Sequence, residues 1–116
     1  MTAIKKFEDI LAYQKAGLFT LAIYKIFGQS KDYGFRDQIC RASVSIMNNI
    51  AEGFERRTDK EFINFLYIAK GSAGEVRSML YLARRLDYIN DSEYSKMNFQ
   101  ISEISRLIMG LIKTLG

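Results

Sequence analysis

Apolar residues recur at three- and four-residue steps through most of the chain, a period typical of amphipathic α-helices. No segment alternates apolar and polar residues over the length of a strand, so no sheet is predicted. The pattern predicts an all-α fold with four helices over residues of about 8–27, 33–53, 59–87 and 91–115. Loops of roughly three to eight residues favour antiparallel neighbours, and therefore a single up-down-up-down four-helix bundle domain over residues 1–116.

Three of the helices have one clear core stripe each. The stripes are Phe35, Ile39, Ala42, Ile46 and Ile50 in the second helix, Phe62, Leu66, Ala69, Ala73, Val76, Leu80 and Ala83 in the third, and Tyr94, Met97, Ile101, Ile104, Ile108, Leu111 and Leu115 in the fourth. Asp32 is the predicted N-cap of the second helix. Thr58 with Glu61 forms a predicted capping box for the third helix, and Asn90 with Glu93 forms one for the fourth.

The first and third helices are apolar around most of their circumference. The first carries stripes on two opposite sides, Ile10, Tyr13, Gly17, Leu21 and Tyr24 on one, Phe19, Ile23, Ile26 and Phe27 on the other. The third adds a stripe beside its core positions: Phe65, Ile68, Met79, Leu82 and Leu86. Helices of this kind are buried on more than one face. In so small a domain the second face is expected to meet another subunit, so a homo-oligomer is predicted.

Composition limits the possible chemistry. The chain has no histidine and one cysteine, Cys40, which removes the commonest general base, the commonest metal ligand and any internal disulfide. A lone helical cysteine is more often a small core residue than a reactive thiol. No metal and no cofactor are therefore expected. No apolar run is long enough for a signal peptide or a membrane span, so we expect a cytoplasmic protein without a membrane partner.

One face of the third helix is basic and aromatic. Its candidate nucleic-acid-binding residues are Tyr67, Lys70, Arg77, Tyr81, Arg84 and Arg85. These positions fall within about 100° of one another, and Glu75 is expected to point away from them to the buried side. Guanidinium groups in a row can meet successive phosphates, and tyrosine rings can stack on unpaired bases. The net charge of +4 agrees with a polyanionic partner. This basic face is a predicted contact for RNA or DNA, with an ordinary solvated helix face as the alternative.

A polar seam runs along the second helix, through Gln38, Arg41, Ser45, Asn49 and Glu52. Its side chains are short or planar and include no lysine, which predicts a partly buried hydrogen-bond network rather than a solvated face. Arg41 is expected to reach Glu52 or Glu75, and the network to lie at a subunit interface. Catalysis is disfavoured because Ser45 has no histidine base and Glu52 has no second carboxylate at helical spacing. The sequence therefore does not predict an enzyme.

Two glycines, Gly71 and Gly74, lie in the middle of the third helix. Each costs about 1 kcal/mol relative to alanine there. Small residues at such a point usually permit the close approach of another backbone.

Two segments carry a family resemblance. YGFRDQICRASVSIMNNIAEGF at 33–54 and FINFLYIAKGSAGE at 62–75 resemble the two signature blocks of the four-helix bundle proteins found in ribosomal-RNA intervening sequences. The resemblance extends from about Phe7 to Ile89. Met47 stands where the family often has proline, and the first loop lacks the usual Phe-Pro pair.

The resemblance implies a small bacterial bundle that can assemble as a pentameric ring and has no attached enzymatic activity. A related accessory protein of diversity-generating retroelements is thought to bind nucleic acid. The polar residues of the family signature correspond here to Gln38, Arg41, Ser45, Asn49, Glu52, Gly53, Gly71, Ser72 and Glu75. Two hypotheses follow: an oligomeric bundle that binds structured RNA or other nucleic acid through its basic face, or a scaffold for a protein partner without nucleic-acid binding.

Overall fold

The computed structural model describes residues 4–116 and consists, over that range, of four α-helices. They are α1 (Leu11–Phe27), α2 (Tyr33–Phe54), α3 (Asp59–Arg85) and α4 (Asp91–Leu115), preceded by a 3-10 turn at Phe7–Asp9. The described residues contain no strand, so the all-α prediction is confirmed. Residues 1–3 of the predicted domain lie outside the described range.

Three side-chain caps set where the helices begin. Asp32 Oδ1 accepts from the backbone N–H of Phe35 at 3.2 Å, as predicted for the start of α2. Asn90 and Glu93 form the full reciprocal capping box of α4. At α3 the box is partial: the Glu61 carboxylate accepts from the Thr58 hydroxyl rather than from its backbone N–H.

Two helix ends differ from the predicted bounds by more than one residue. α1 begins at Leu11 instead of residue 8, because Ile10 is buried with an extended backbone that separates the 3-10 turn from the helix. α3 ends at Arg85 instead of residue 87, because Asp87 adopts the left-handed conformation, with φ 61°. The N–H of Tyr88 then bonds the carbonyl of Ala83, and that of Asp87 bonds Arg84, which is the Schellman pattern that ends a helix.

Each helix packs against its sequence neighbours, and α1 also packs against α4. Contacts run in opposite order along α2 and α3: Gln38 meets Glu75, whereas Ser45, further along α2, meets Ser72, earlier in α3. This order agrees with the predicted antiparallel arrangement. The molecule is elongated, with extents of 45 × 23 × 19 Å. None of the helices within 4–116 is both long and apolar enough to cross a lipid bilayer.

The core lies along the bundle axis. The predicted core stripes of α2 and α3 are buried in full. On α4, Met97, Ile101, Ile104 and Ile108 are buried as predicted, and Ile112 takes the place expected for Leu111 and Leu115, which are half-buried. On α1 the core face is Ala12, Ala16, Phe19, Ile23 and Phe27. On the opposite stripe Leu21 and Tyr24 are exposed and Tyr13 and Gly17 are half-buried, whereas Ile10, which precedes the helix, is buried.

Candidate nucleic-acid interface

The central part of the basic face of α3 is open to solvent. Tyr67 and Tyr81 are each 51% exposed, and Arg77 is exposed beside a half-buried Lys70. Neither Lys70 nor Arg77 has a hydrogen bond or an ion pair with another residue of the described chain. They lie seven residues apart, which is about 10 Å along the helix axis. Two cations are therefore available to a ligand on a surface that also presents two aromatic rings.

The C-terminal end of the basic face is occupied by contacts within the protein. Arg84 Nε donates to Oδ1 of Asp91 at 2.6 Å, and its guanidinium lies 5.8 Å from the centre of the Tyr94 ring. Arg85 Nη1 donates to the Tyr81 hydroxyl at 3.3 Å and lies over the same ring. Sequence reasoning placed no acid near these cations because Asp91 comes from the start of the next helix.

A groove runs between α3 and α4 beside the unpaired cations. The lining residues of this α3–α4 groove are Gly74, Arg77, Ser78, Tyr81, Tyr94 and Asn98, around a volume of about 360 Å³. The rings of Tyr81 and Tyr94 meet edge to face, with centroids 6.4 Å apart. Sequence reasoning missed Asn98 and assigned Tyr94 to the core. Their four-residue spacing puts both on one side of α4, but only the packing of α4 on α3 brings that side to the basic face.

The polar seam forms a smaller network than predicted. Ser45 Oγ lies 2.9 Å from Ser72 Oγ and accepts from Asn49 Nδ2 at 3.0 Å, which links α2 to α3. Gln38 Nε2 donates to Glu75 Oε2 at 3.1 Å, which places Glu75 on the side of α3 that faces α2. Glu75 is exposed there, so the prediction that it points to the buried side is wrong.

The expected ion pair of Arg41 is not formed. Arg41 and Glu52 are exposed, and in the described range neither bonds the other or any member of the seam. Glu52 is out of reach because it lies three turns from Arg41 along α2. Glu75, the other predicted partner, accepts from Gln38 instead. Whether the seam lies at a subunit interface stays a prediction.

The remaining candidates carry little chemistry. Cys40 is buried, and burial raises the pKa of its thiol, which keeps it protonated and unreactive. Within residues 4–116 no cluster of three or more acidic or cysteine side chains is placed to hold a metal ion. A methyl group added at Gly71 or Gly74 would meet nothing within 4 Å, so among residues 4–116 no backbone from another helix approaches either glycine closely.

A second surface feature is apolar. Between α1 and α2 an open α1–α2 groove of about 500 Å³ is lined mainly by Tyr13, Gly17, Leu18, Leu21 and Met47. Leu18 and Leu21 are 68% and 62% exposed. On α3, Ile68, Leu82 and Leu86 of the predicted second stripe are also exposed, whereas Met79 is buried. At 100° per residue these exposed apolar residues are roughly 120–180° away from Lys70 and Arg77 around the helix, so the two surfaces of α3 do not overlap.

Comparison with known proteins adds three findings. The model of the family described as 23S rRNA-intervening sequence protein matches residues 8–110. The structure is similar to a crystal structure of a protein with unknown function from the S23 ribosomal protein family of Bacteroides thetaiotaomicron. That similarity has a TM-score of 0.84 and 30% sequence identity, and it covers 89% of this chain and 99% of the other. No curated protein matches the chain at a significant level.

Proposed function

The chain belongs to the 23S rRNA-intervening sequence protein family, and we propose that it is a non-enzymatic, homo-oligomeric bundle that binds RNA through the basic face of α3. The observation that carries the proposal is the pair Lys70 and Arg77, which have no ion-pair partner in the described chain and share a surface with two half-exposed tyrosine rings. Cations on such a surface can neutralise phosphates, and the rings can stack on bases.

The non-enzymatic part of the proposal is supported by the surroundings of two side chains that could act as nucleophiles, Ser45 and Cys40. Ser45 is the seam residue whose side chain could act as a nucleophile. Its hydroxyl is hydrogen-bonded to Ser72 and Asn49 and has no base beside it. The Cys40 thiol is buried and its pKa is raised by that burial. An activated nucleophile needs a neighbouring base or a lowered pKa, and neither residue has one.

Self-association is supported by two separate apolar surfaces. The α1–α2 groove is lined mainly by α1, and α1 does not pack against α3, which carries the exposed Ile68, Leu82 and Leu86 stripe. Two different patches are what a head-to-tail contact needs, and such contacts close into rings when the rotation allows. The family resemblance favours five subunits. Because the apolar stripe and the basic face point in different directions, a ring would repeat the basic face around its circumference and add the phosphate contacts of several copies.

The RNA proposal is tested by charge reversal with a matched control. Lys70→Glu/Arg77→Glu removes both available cations, whereas Arg57→Glu/Lys60→Glu makes the same change in net charge at two exposed positions, in the α2–α3 turn and in the first turn of α3. In fluorescence anisotropy with a labelled structured RNA, we expect the first double variant to lose binding and the second to bind within a few-fold of the parent. Equal losses in the two variants would mean that only net charge matters and would overturn the proposed site.

The oligomer is tested separately by light scattering after gel filtration. Leu18→Glu/Leu21→Glu should lower the mass towards that of a single 13.4 kDa chain, because both side chains line the α1–α2 groove and are mostly exposed in the monomer. Phe99→Glu changes an equally exposed apolar residue on α4 and should leave the mass unaltered. A parent protein that is monomeric overturns the proposal of self-association.

A protein-interaction scaffold is the second candidate function. The exposed apolar surfaces of α1 and α3 favour it, since contiguous apolar surface of this kind marks contact sites. A parent protein that binds no RNA even at low salt, while it captures one protein in a salt-insensitive manner, would favour the scaffold over the RNA-binding function.

A further inference from the structure

The α3–α4 groove has a feature that the packing of the chain does not require. Gly74 lies at the edge of the groove between Lys70, one turn before it, and Arg77, one turn after it. A methyl group at this position would meet no atom within 4 Å, so no neighbour in the chain demands a glycine. Glycine in a helix interior is nevertheless destabilising relative to alanine. The missing side chain leaves a notch between two available cations.

Aromatic and amide groups line the groove next to this notch. Tyr81 is half-exposed, and its ring meets Tyr94 from α4. Asn98, one turn further along α4, contributes a side-chain amide with both a donor and an acceptor. Arg85 lies over the Tyr81 ring, and the part of the ring that Arg85 and Tyr94 leave open suits the π-face of a base. The Asn98 amide suits the donor and acceptor pattern of a base edge.

Whether a nucleotide can contact the Tyr81 ring and the Asn98 amide depends on whether its base is paired. In a duplex the faces of the bases are stacked on one another and their pairing edges are engaged, so neither is open to a tyrosine ring or an amide on the protein surface. An unpaired nucleotide presents both. Its phosphates would meet Lys70 and Arg77 at the rim, while its base would enter between Tyr81 and Asn98. The volume of about 360 Å³ is at the lower end of the range of about 300–1,000 Å³ typical of small-ligand sites.

We infer that the α3–α4 groove binds an unpaired nucleotide, so that the protein selects single-stranded RNA, or the loops and bulges of a folded RNA, over duplex. This inference rests on the proposed RNA binding and deepens it by naming the form of RNA that the site recognises. Arg77 and Lys70 supply the phosphate contacts, Tyr81 supplies the stacking surface, and Asn98 contacts the base edge.

The test compares one RNA strand with the same strand annealed to its complement. Anisotropy titrations of the full-length protein with a labelled ten-nucleotide RNA of mixed sequence, at one fixed salt concentration, should give an affinity for the single strand at least tenfold higher than for the duplex. Tyr81→Ala should weaken single-strand binding roughly tenfold to hundredfold. Tyr81→Phe keeps the ring and should retain the preference.

Two glycine variants test the notch itself. Gly74→Leu fills it and should remove most of the preference for the single strand. Gly110→Leu is the matched control, because Gly110 is also an exposed helical glycine with nothing within 4 Å of an added methyl group, and it does not line the groove. Leucine is a better helix former than glycine, so both variants should remain folded and a difference between them cannot reflect unfolding.

The outcomes separate this inference from the function on which it rests. A single-strand preference that is lost in Gly74→Leu and kept in Gly110→Leu supports the groove as the site. Equal or tighter binding of the duplex, with Gly74→Leu unchanged, overturns the inference and leaves phosphate-driven RNA binding in place. The absence of binding to either RNA at low salt overturns the proposed function itself, and the inference with it.

Discussion

Arg84 and Asp91 are joined across the loop between α3 and α4, with the guanidinium Nε 2.6 Å from the carboxylate Oδ1. Their side chains are 40% and 82% exposed, so the pair is a surface ion pair and contributes little to stability. Its larger effect is on the basic face, because a carboxylate at this point competes with any phosphate for Arg84. Of the four cations of the face, Lys70 and Arg77 are therefore available, whereas Arg84 is paired with Asp91 and Arg85 donates to the Tyr81 hydroxyl.

Removal of the competing carboxylate should strengthen RNA binding. In Asp91→Asn the guanidinium of Arg84 is released and one negative charge beside the face is lost, so we expect the affinity to rise several-fold. The slope of log affinity against log salt should become steeper by about 0.7, as for one additional phosphate contact on a single strand. Anisotropy across salt concentrations measures both quantities. An unchanged affinity and slope would show that RNA does not reach the C-terminal end of α3.

The contact between Tyr88 and Asp32 makes part of the stability dependent on pH. The Tyr88 hydroxyl donates to Asp32 Oδ2 at 2.6 Å, and this bond, with that from the Phe35 N–H, lowers the pKa of the carboxyl. A lowered pKa in the folded state adds stability above the ordinary pKa of about 4, and that stability is lost as the pH falls through the lowered value.

Tyr88→Phe isolates this bond because it keeps a ring to pack edge-on against Phe35. The Asp32 pKa should rise towards its ordinary range, which a carboxyl titration by NMR can follow. Urea unfolding should show a small deficit relative to the parent at pH 7 that disappears in strong acid, where the carboxyl is protonated in both proteins. A deficit that is the same at both pH values would assign the effect to packing instead.

The core contains one hydroxyl without a partner. Ser43 is fully buried, and its Oγ has no hydrogen-bond partner in the described part of the chain, although its carbonyl accepts from Thr20 Oγ1 at 3.2 Å. Ser43→Ala removes the hydroxyl and keeps the carbonyl, so we expect it to increase the free energy of unfolding by about 1 kcal/mol. Ser45→Ala is the contrast, because it breaks bonds to Ser72 and Asn49 and should lower that free energy. Destabilisation by Ser43→Ala would indicate that the hydroxyl is bonded, for example to a buried water.

Substitution of two glycines by alanine should change the stability of the protein in opposite directions. A methyl group at Gly53 would lie 2.7 Å from Phe65 Cβ and 3.3 Å from the carbonyl oxygen of Phe62, so the α2–α3 turn would have to shift. Gly53→Ala should cost about 1–3 kcal/mol, as overpacking does. Gly71→Ala meets nothing and should stabilise α3 by about 0.5–1 kcal/mol. Thermal unfolding of the two variants and the parent measures both changes in stability. Stabilisation by Gly53→Ala would contradict the close approach of α2 and α3.

Local signals in the sequence predicted what depends on neighbours along the chain. The Asp32 and Asn90 caps are formed by residues three positions apart, and both appear where the pattern placed them. The end of α3 was not predicted because Asp87 adopts a positive φ, for which glycine is the usual signal.

Features that depend on packing between helices were harder to predict from the sequence. Both sides of α1 are apolar, so the sequence does not say which side faces the core. In the structure α2 and α4 pack on the side that carries Ala16 and Ile23, and Leu21 on the other side stays exposed. The site follows the same division. Its six predicted residues share a helix face, whereas the neutralisation of Arg84 by Asp91 and the groove formed with Asn98 depend on how α4 returns along α3.

The most direct test of the account is the salt dependence of RNA affinity in the parent protein and in Lys70→Glu/Arg77→Glu. Each phosphate neutralised on a single strand adds about 0.7 to the slope of log affinity against log salt, so the pair should account for about 1.4 per chain. We expect a steep slope in the parent and a slope reduced by at least that amount in the double variant. A slope near zero in the parent, or an equal slope in the two proteins, would contradict the assignment of RNA binding to the basic face of α3.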